Sequence, residues 1–209
     1  MLEIELATRK TFEGILDAEF RWPLPDDKPF TVANDPFDDA NVPDDGFTRL
    51  VLMTEGYKKA ADLMVEAAAA DRLARNTLVF PIVFNYRQFL ELSLKYQLAT
   101  FGPEVGVDPN WTSHDLAKLW AEFLAMLDNF DTEDPDEVDP VVGKIILEFA
   151  KIDPGSYSYR YPVDRKGNPV PVAYSDLHLP TLANVMQGVA GYFKGCDGYL
   201  CSLADASPY

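Results

Sequence analysis

Residues 85–95 read NYRQFLELSLK and carry Arg87, Glu91 and Lys95 at four-residue intervals. At 3.6 residues per turn this spacing places the three charges on one side of a helix. Apolar residues cover much of the remaining helix surface, which is typical of a buried helix. We call these three residues the charged stripe. Because burying an unpaired ion is costly, we expect other chain segments to neutralise the charged stripe, or the charged stripe to line a water-filled groove. The alternative is an exposed ladder of charges in solvent.

The chain has 209 residues, enough for one domain with a substantial core. It has no run of eighteen or more apolar residues, and residues 1–5, MLEIE, are acidic where a signal peptide is basic. We therefore expect a soluble, cytoplasmic protein with no membrane segment. Cys196 and Cys201 suit a reducing compartment. Zinc would need two more ligands, which the two distant histidines do not obviously supply, so we expect no metal and no cofactor.

The net charge of −16 argues against nucleic acid as a partner, because phosphates call for a basic surface. The charge is concentrated in two places. Residues 1–46 hold twelve acidic and four basic residues, and residues 128–139 hold seven acidic and no basic residues. The rest of the chain is nearly neutral, which leaves room for a local positive groove.

The N-terminal part of the chain is acidic and rich in proline. Five prolines among many aspartates in residues 23–45 forbid long regular structure and predict an extended arm. The hydrophobic periodicity of residues 1–22 does not distinguish a strand from a helix. The sequence therefore predicts an N-terminal arm over 1–46 and a helical domain over 47–209.

Apolar residues recur at three- and four-residue steps through most of the helical domain, which indicates amphipathic helices. The predicted helices are 47–71, 77–100 with Pro81 in its first turn, 114–127 capped by Thr112 or Ser113, 140–151, and 179–193 ending near Gly195. Residues 157–172 show the only β signal, aromatic alternation followed by a Gly-Asn turn, and predict a small edge hairpin. The expected fold is all-α, a bundle of four to five helices with an inserted hairpin.

Two further segments supply candidate site residues. His114 and Asp115 come at the start of the third helix, where the dipole suits an acid and favours a neutral imidazole. Flanking aromatics, including Tyr161, can stack on the guanidinium of Arg160 and suit either a nucleobase or a clasp onto Glu91. The predicted polar cluster is Arg87, Glu91, Lys95, His114, Asp115, Arg160 and Tyr161, and the candidates for catalysis are Arg87, His114 and Arg160.

Three ordered blocks carry a family resemblance: residues 86–95, YRQFLELSLK; residues 113–120, SHDLAKLW; and residues 158–167, SYRYPVDRKG. Together they resemble a group of uncharacterised bacterial proteins similar to the HEPN superfamily, over about residues 47–195. The resemblance implies a compact up-and-down helical bundle, often dimeric. Active HEPN members are metal-independent ribonucleases of toxin–antitoxin and other defence systems.

The catalytic motif of that superfamily is an arginine followed after four to six residues by a histidine, and this chain departs from it. Its two histidines, His114 and His178, follow their nearest arginines, Arg87 and Arg165, by 27 and 13 positions. We therefore expect a degenerate HEPN-like protein that acts by association, as a homodimer or with an antitoxin or a nucleotidyltransferase. The alternatives are a ribonuclease with a displaced pair, Arg87 with His114 or Arg160 with His178, and a nucleotide-binding module.

Overall fold

A computed structural model describes residues 23–132 and 137–206 of the chain. The chain divides into two compact units, Met1–Val42 and Pro43–Tyr209. In the first unit, the described residues 23–42 are irregular apart from a 3-10 helix at Pro36–Asp38. The undecided residues 1–22 lie outside the described part of the chain.

The described residues of the second unit form five α-helices. They are α1 (Gly46–Ala70), α2 (Arg72–Phe101), α3 (Leu116–Asn129), α4 (Val138–Ile152) and α5 (Leu179–Ala206), with a 3-10 helix at Gly102–Val105 after α2. No β-strand occurs in the described ranges. The prediction of an all-α bundle is therefore confirmed for this part of the chain. Of these five helices, none is long and apolar enough to cross a membrane.

Helices α1 and α2 form an antiparallel hairpin about a single residue, Asp71. The Asp71 carboxylate caps α2 by accepting a hydrogen bond from the N–H of Leu73 at 2.9 Å. Because that cap starts α2 at Arg72, the predicted break over 72–76 is wrong, and Pro81 lies in the interior of the helix, not in its first turn. Cross-helix contacts fix the antiparallel register: Phe47 with Tyr96, Tyr57 with Phe84, and Asp62 with Tyr86.

The predicted hairpin at 157–172 is wrong. The segment has one isolated bridge, between Val163 and Pro169, and a turn in which the Asp164 carboxylate accepts from the N–H groups of Lys166 and Asn168. The N–H of Asp164 donates to the carbonyl oxygen of Asn168, and the N–H of Val170 donates to that of Pro162, on either side of the bridge. Prolines 162, 169 and 171 lack the N–H groups that would extend this pairing into strands.

Helix α5 continues to Ala206, well beyond the predicted end near Gly195. The fully buried side chain of Leu200 and the packing of Leu203 hold the last turns on the core. Tertiary burial therefore outweighs the helix-ending tendency of Gly195.

Helix α2 is the central element, because it packs against α1, α3 and α5. Its buried side chains lie on nearly all sides of the helix, from Ile82 to Phe101. The charged stripe predicted on this helix therefore lies inside the bundle.

Candidate functional site

The stripe on α2 is buried, as predicted. Arg87 is 0% exposed, Glu91 2% and Lys95 4%. The exposed-ladder alternative is therefore wrong. Three charges without contact to solvent require partners within the chain.

Glu91 lies at the centre of these contacts. Its Oε2 accepts a hydrogen bond from Nη1 of Arg87 at 3.0 Å, and its Oε1 accepts from Nζ of Lys95 at 2.8 Å. Nδ1 of His114 also lies 2.8 Å from Oε1. Burial alone would raise the pKa of Glu91. The hydrogen bonds from Lys95, His114 and Arg87 and the charge of Lys95 outweigh burial and hold that pKa below its ordinary value.

Arg87 connects three segments of the chain. Besides Glu91 on its own helix, its Nη2 donates to the carbonyl oxygen of His114 at 2.6 Å, and its Nε donates to the carbonyl oxygen of Asp153 at 3.1 Å. Each nitrogen of the guanidinium thus has an acceptor. The fork shape of arginine suits this role, since it directs donors to several acceptors at fixed angles.

Asp153 completes the charge balance, and the sequence analysis missed it. It is fully buried at the C-terminal end of α4, with Oδ2 3.6 Å from Nε of Arg87. Its Oδ1 accepts from the backbone N–H groups of Tyr157 and Ser158 at 2.7 and 2.9 Å. With a neutral imidazole, the two cations Arg87 and Lys95 are matched by the two carboxylates of Glu91 and Asp153. We call these four side chains and His114 the buried ion cluster.

His114 is the only member of the buried ion cluster that reaches solvent; its side chain is 66% exposed. An ionised carboxylate can only accept, so Nδ1 carries the hydrogen in the bond to Glu91. The exposed imidazole and the carboxylate of Glu91 have the geometry of a general-base pair at the surface. The guanidinium of Arg87, the cation of the displaced pair, is enclosed.

The remaining predicted residues lie outside the buried ion cluster. Asp115 is the N-cap of α3, where its carboxylate accepts from the N–H groups of Ala117 and Lys118. The helix therefore begins at Leu116, two residues later than predicted, and His114 precedes it.

The predicted clasp of Arg160 onto Glu91 does not form among the described contacts. Instead, the guanidinium lies 5.4 Å from the ring centroid of Phe84 and 5.5 Å from that of Tyr161, and Arg160 and Tyr161 are both exposed. Aromatic contact, and not an acidic partner, positions this side chain.

Comparison of the chain with protein-family models, with curated proteins and with solved structures finds no match. Over residues 43–132 and 137–206 the fold is a helical bundle built around a buried ion cluster.

Proposed function

We propose that this protein is a non-catalytic, HEPN-like helical protein that acts by association, and that its first partner is a second copy of the same chain. The buried ion cluster would fix the bundle, and an outward helical face would make the contact. One observation carries the proposal: four exposed apolar residues on the solvent-facing side of α1 form a self-complementary pattern of large and small side chains.

Helix α1 packs against α2 and α5, and its other side faces solvent in the described structure. On that side Leu52 is 48% exposed and Leu63 55% exposed, and Gly56 and Ala67 are exposed as well. The four positions are separated by four, seven and four residues, so they share one face, which we call the outward face of α1. Exposed Lys59 lies between Gly56 and Leu63 on the same face, and apolar residues grouped on an exposed helix face mark interaction sites.

The outward face of α1 is symmetric about the point between residues 59 and 60. A second copy packed antiparallel about a two-fold axis there would place Leu63 of one chain on Gly56 of the other, and Leu52 on Ala67. Each large side chain would meet a small one, as a two-fold interface requires. A Cβ built on Gly56 meets nothing within 4 Å, so the notch is open in the single chain.

Sedimentation velocity of the full chain tests the interface. We expect a dimer for the natural sequence and a monomer for Gly56→Leu, because leucine would fill the notch. The same substitution should stabilise the isolated chain by about 0.5–1 kcal/mol, since glycine disfavours helix. Gly188→Leu, at an exposed glycine of α5 with equally open space, is the matched control and should stay dimeric. A monomeric natural chain, or a dimeric Gly56→Leu variant, would overturn the proposal.

The biological setting is proposed from the three-block resemblance. An antitoxin or a nucleotidyltransferase is the further partner that it implies, in a bacterial defence or toxin–antitoxin system. We place the protein in the cytoplasm because two cysteines, Cys196 and Cys201, suit a reducing compartment. Induced expression in a bacterial host, with and without the neighbouring gene, tests the setting: growth arrest relieved by the neighbour supports it, and unchanged growth contradicts it.

A ribonuclease is the second candidate, and the contact between His114 and Glu91 favours it. The displaced pair Arg87 and His114 do meet, through Nη2 of Arg87 and the backbone oxygen of His114. Against this candidate, Arg87 is fully buried and each of its three nitrogens already donates within the chain, so it has no path to a phosphate. We expect purified protein to leave RNA intact; cleavage that His114→Ala abolishes, in a variant whose unfolding shows that it is still folded, would establish the enzyme instead. A rise in melting temperature with millimolar nucleotide would favour the third alternative, a nucleotide-binding module.

A further inference from the structure

A groove of about 440 Å³ lies between α1, α2 and α5, apart from the outward face of α1 and from the buried ion cluster. Its size falls within the range of small-molecule sites in proteins. Phe89 and Phe193 form an aromatic wall in it, with ring centroids 6.4 Å apart at an angle of 82°. Both side chains are only 5% exposed, so the wall is fixed by the core.

Two buried polar groups on α2 line the same groove. Gln97 is 2% exposed; its Nε2 donates to the carbonyl oxygen of Phe193 at 3.2 Å, and its Oε1 is buried with no hydrogen-bond partner among the described residues. Ser93, one turn earlier, is 4% exposed, and the described contacts give its hydroxyl no partner. A buried acceptor without a donor is costly, so a donor from a ligand would be favourable at Gln97.

Charged side chains of both signs line the groove as well. Lys58 is held by Asp62 at 2.7 Å and Gln187 at 2.8 Å. Glu55 on α1 and Lys194 on α5 are exposed and have no ion pair among the described residues. Asp197 on α5 also lines the groove, and its Oδ1 accepts a hydrogen bond from the hydroxyl of Tyr96 at 3.0 Å. Among the charged residues that line the groove, Glu55 and Lys194 are therefore the anion and the cation without a polar contact in the described structure, and they come from facing helices.

We propose that this groove binds a zwitterionic aromatic amino acid with a hydrogen-bond donor on its ring, of which tyrosine is the simplest probe. The carboxylate would bind Lys194, and the ammonium group would bind Glu55. The ring would pack on Phe89 and Phe193, and its hydroxyl would donate to Oε1 of Gln97 after a turn of that amide toward the groove, since the oxygen is closed to solvent in the free chain. Charge, aromatic surface and the unpaired acceptor are each matched by a different part of one molecule.

NMR titration of the full chain with L-tyrosine, L-phenylalanine and tyramine tests this assignment. Phenylalanine lacks only the hydroxyl, and tyramine lacks only the carboxylate. We expect saturable binding of L-tyrosine, roughly tenfold tighter than that of L-phenylalanine, because a buried acceptor left without a donor penalises the analogue. Tyramine should also bind more weakly than L-tyrosine. Absence of saturable binding at millimolar tyrosine, or equal affinity for tyrosine and phenylalanine, would overturn the proposal.

Lys194→Ala should weaken binding of both amino acids by about fivefold and leave tyramine binding unchanged, since only the carboxylate contact is lost. Lys194 is exposed and unpaired, so this variant should fold normally. Lys144→Ala, at an exposed lysine of α4, is the matched control and should bind like the natural chain. Gln97→Leu should remove the preference for tyrosine over phenylalanine. Unchanged affinity in Lys194→Ala would contradict the assigned orientation.

Discussion

Nδ1 of His114 lies 2.8 Å from Oε1 of Glu91, so an imidazole that is 66% exposed is bonded to a carboxylate that solvent scarcely reaches. This contact is the outer limit of the buried ion cluster. Inside it, Arg87 and Lys95 supply the charges that hold Glu91 ionised. The histidine is therefore the member of the cluster whose loss the structure tolerates best.

His114→Ala should lower the free energy of unfolding by about 1 kcal/mol, since one largely solvent-facing hydrogen bond is lost while Glu91 keeps Arg87 and Lys95. Urea unfolding at neutral pH measures this. A loss as large as that of a buried cluster residue would show that His114 carries more of the packing than its exposure indicates.

Arg87→Lys should be far more damaging, although it preserves the charge. Lysine cannot donate at once to Glu91, to the His114 backbone and to the Asp153 backbone, as Arg87 does. We expect a loss of about 2–4 kcal/mol in the free energy of unfolding, from hydrogen bonds to a charged group. Arg75→Lys, at an exposed position in the first turns of α2, is the control and should change stability by less than about 0.5 kcal/mol.

Gly143→Ala should destabilise the bundle by about 1–3 kcal/mol, because a Cβ at this position would lie 2.8 Å from Nε1 of Trp120. Both residues are buried where α4 meets α3, so little space is left for the ring to move. Gly191→Ala on α5 has open space and should instead gain about 0.5–1 kcal/mol from helix propensity. Thermal unfolding measures both effects: the melting temperature should fall for Gly143→Ala and rise for Gly191→Ala. Equal shifts in melting temperature would contradict the close packing of Gly143 on Trp120.

Acid should weaken the fold through Glu91. Its pKa is lowered in the folded chain, so below the ordinary value of 4.5 the unfolded state binds the proton more readily. The contribution of Glu91 is present above about pH 4.5 and is lost as the pH falls through the lower, folded pKa. Urea unfolding between about pH 3 and pH 6 should show the stability gap between the natural chain and Glu91→Gln narrowing on the acid side. If the difference in unfolding free energy between the two proteins did not change with pH, the neighbours of Glu91 would not lower its pKa.

The four-residue spacing of Arg87, Glu91 and Lys95 predicts that the three charges share one side of a helix. The apolar residues around them predict that this helix is buried. The partners of the stripe were only partly predictable. Asp153 lies 66 positions from Arg87, and nothing in its local sequence marks it as a counterion. A clasp of Arg160 onto Glu91 was one of two alternatives suggested by its flanking aromatic residues, yet the rings of Phe84 and Tyr161 hold it elsewhere.

The predicted ends of the helices were wrong where tertiary contacts or helix caps outweigh local sequence signals. Gly195 resembles a helix end in the sequence, but burial of Leu200 carries α5 past it. Pro81 resembles a first-turn residue, but the Asp71 cap starts α2 earlier. Aromatic alternation at 157–172 suggested strands, but the prolines permit one bridge only.

The central claim is that the chain itself neutralises the charges buried on α2, and the unfolding free energy of Glu91→Gln tests it most directly. Glutamine keeps the shape of the side chain but leaves Arg87 and Lys95 without their shared anion. Urea unfolding at neutral pH should show a loss of about 3–5 kcal/mol relative to the natural chain. Glu66→Gln, at an exposed position of α1, should show almost none. If the two variants were equally stable, Glu91 would not be the counterion of the buried stripe, and the account would be wrong.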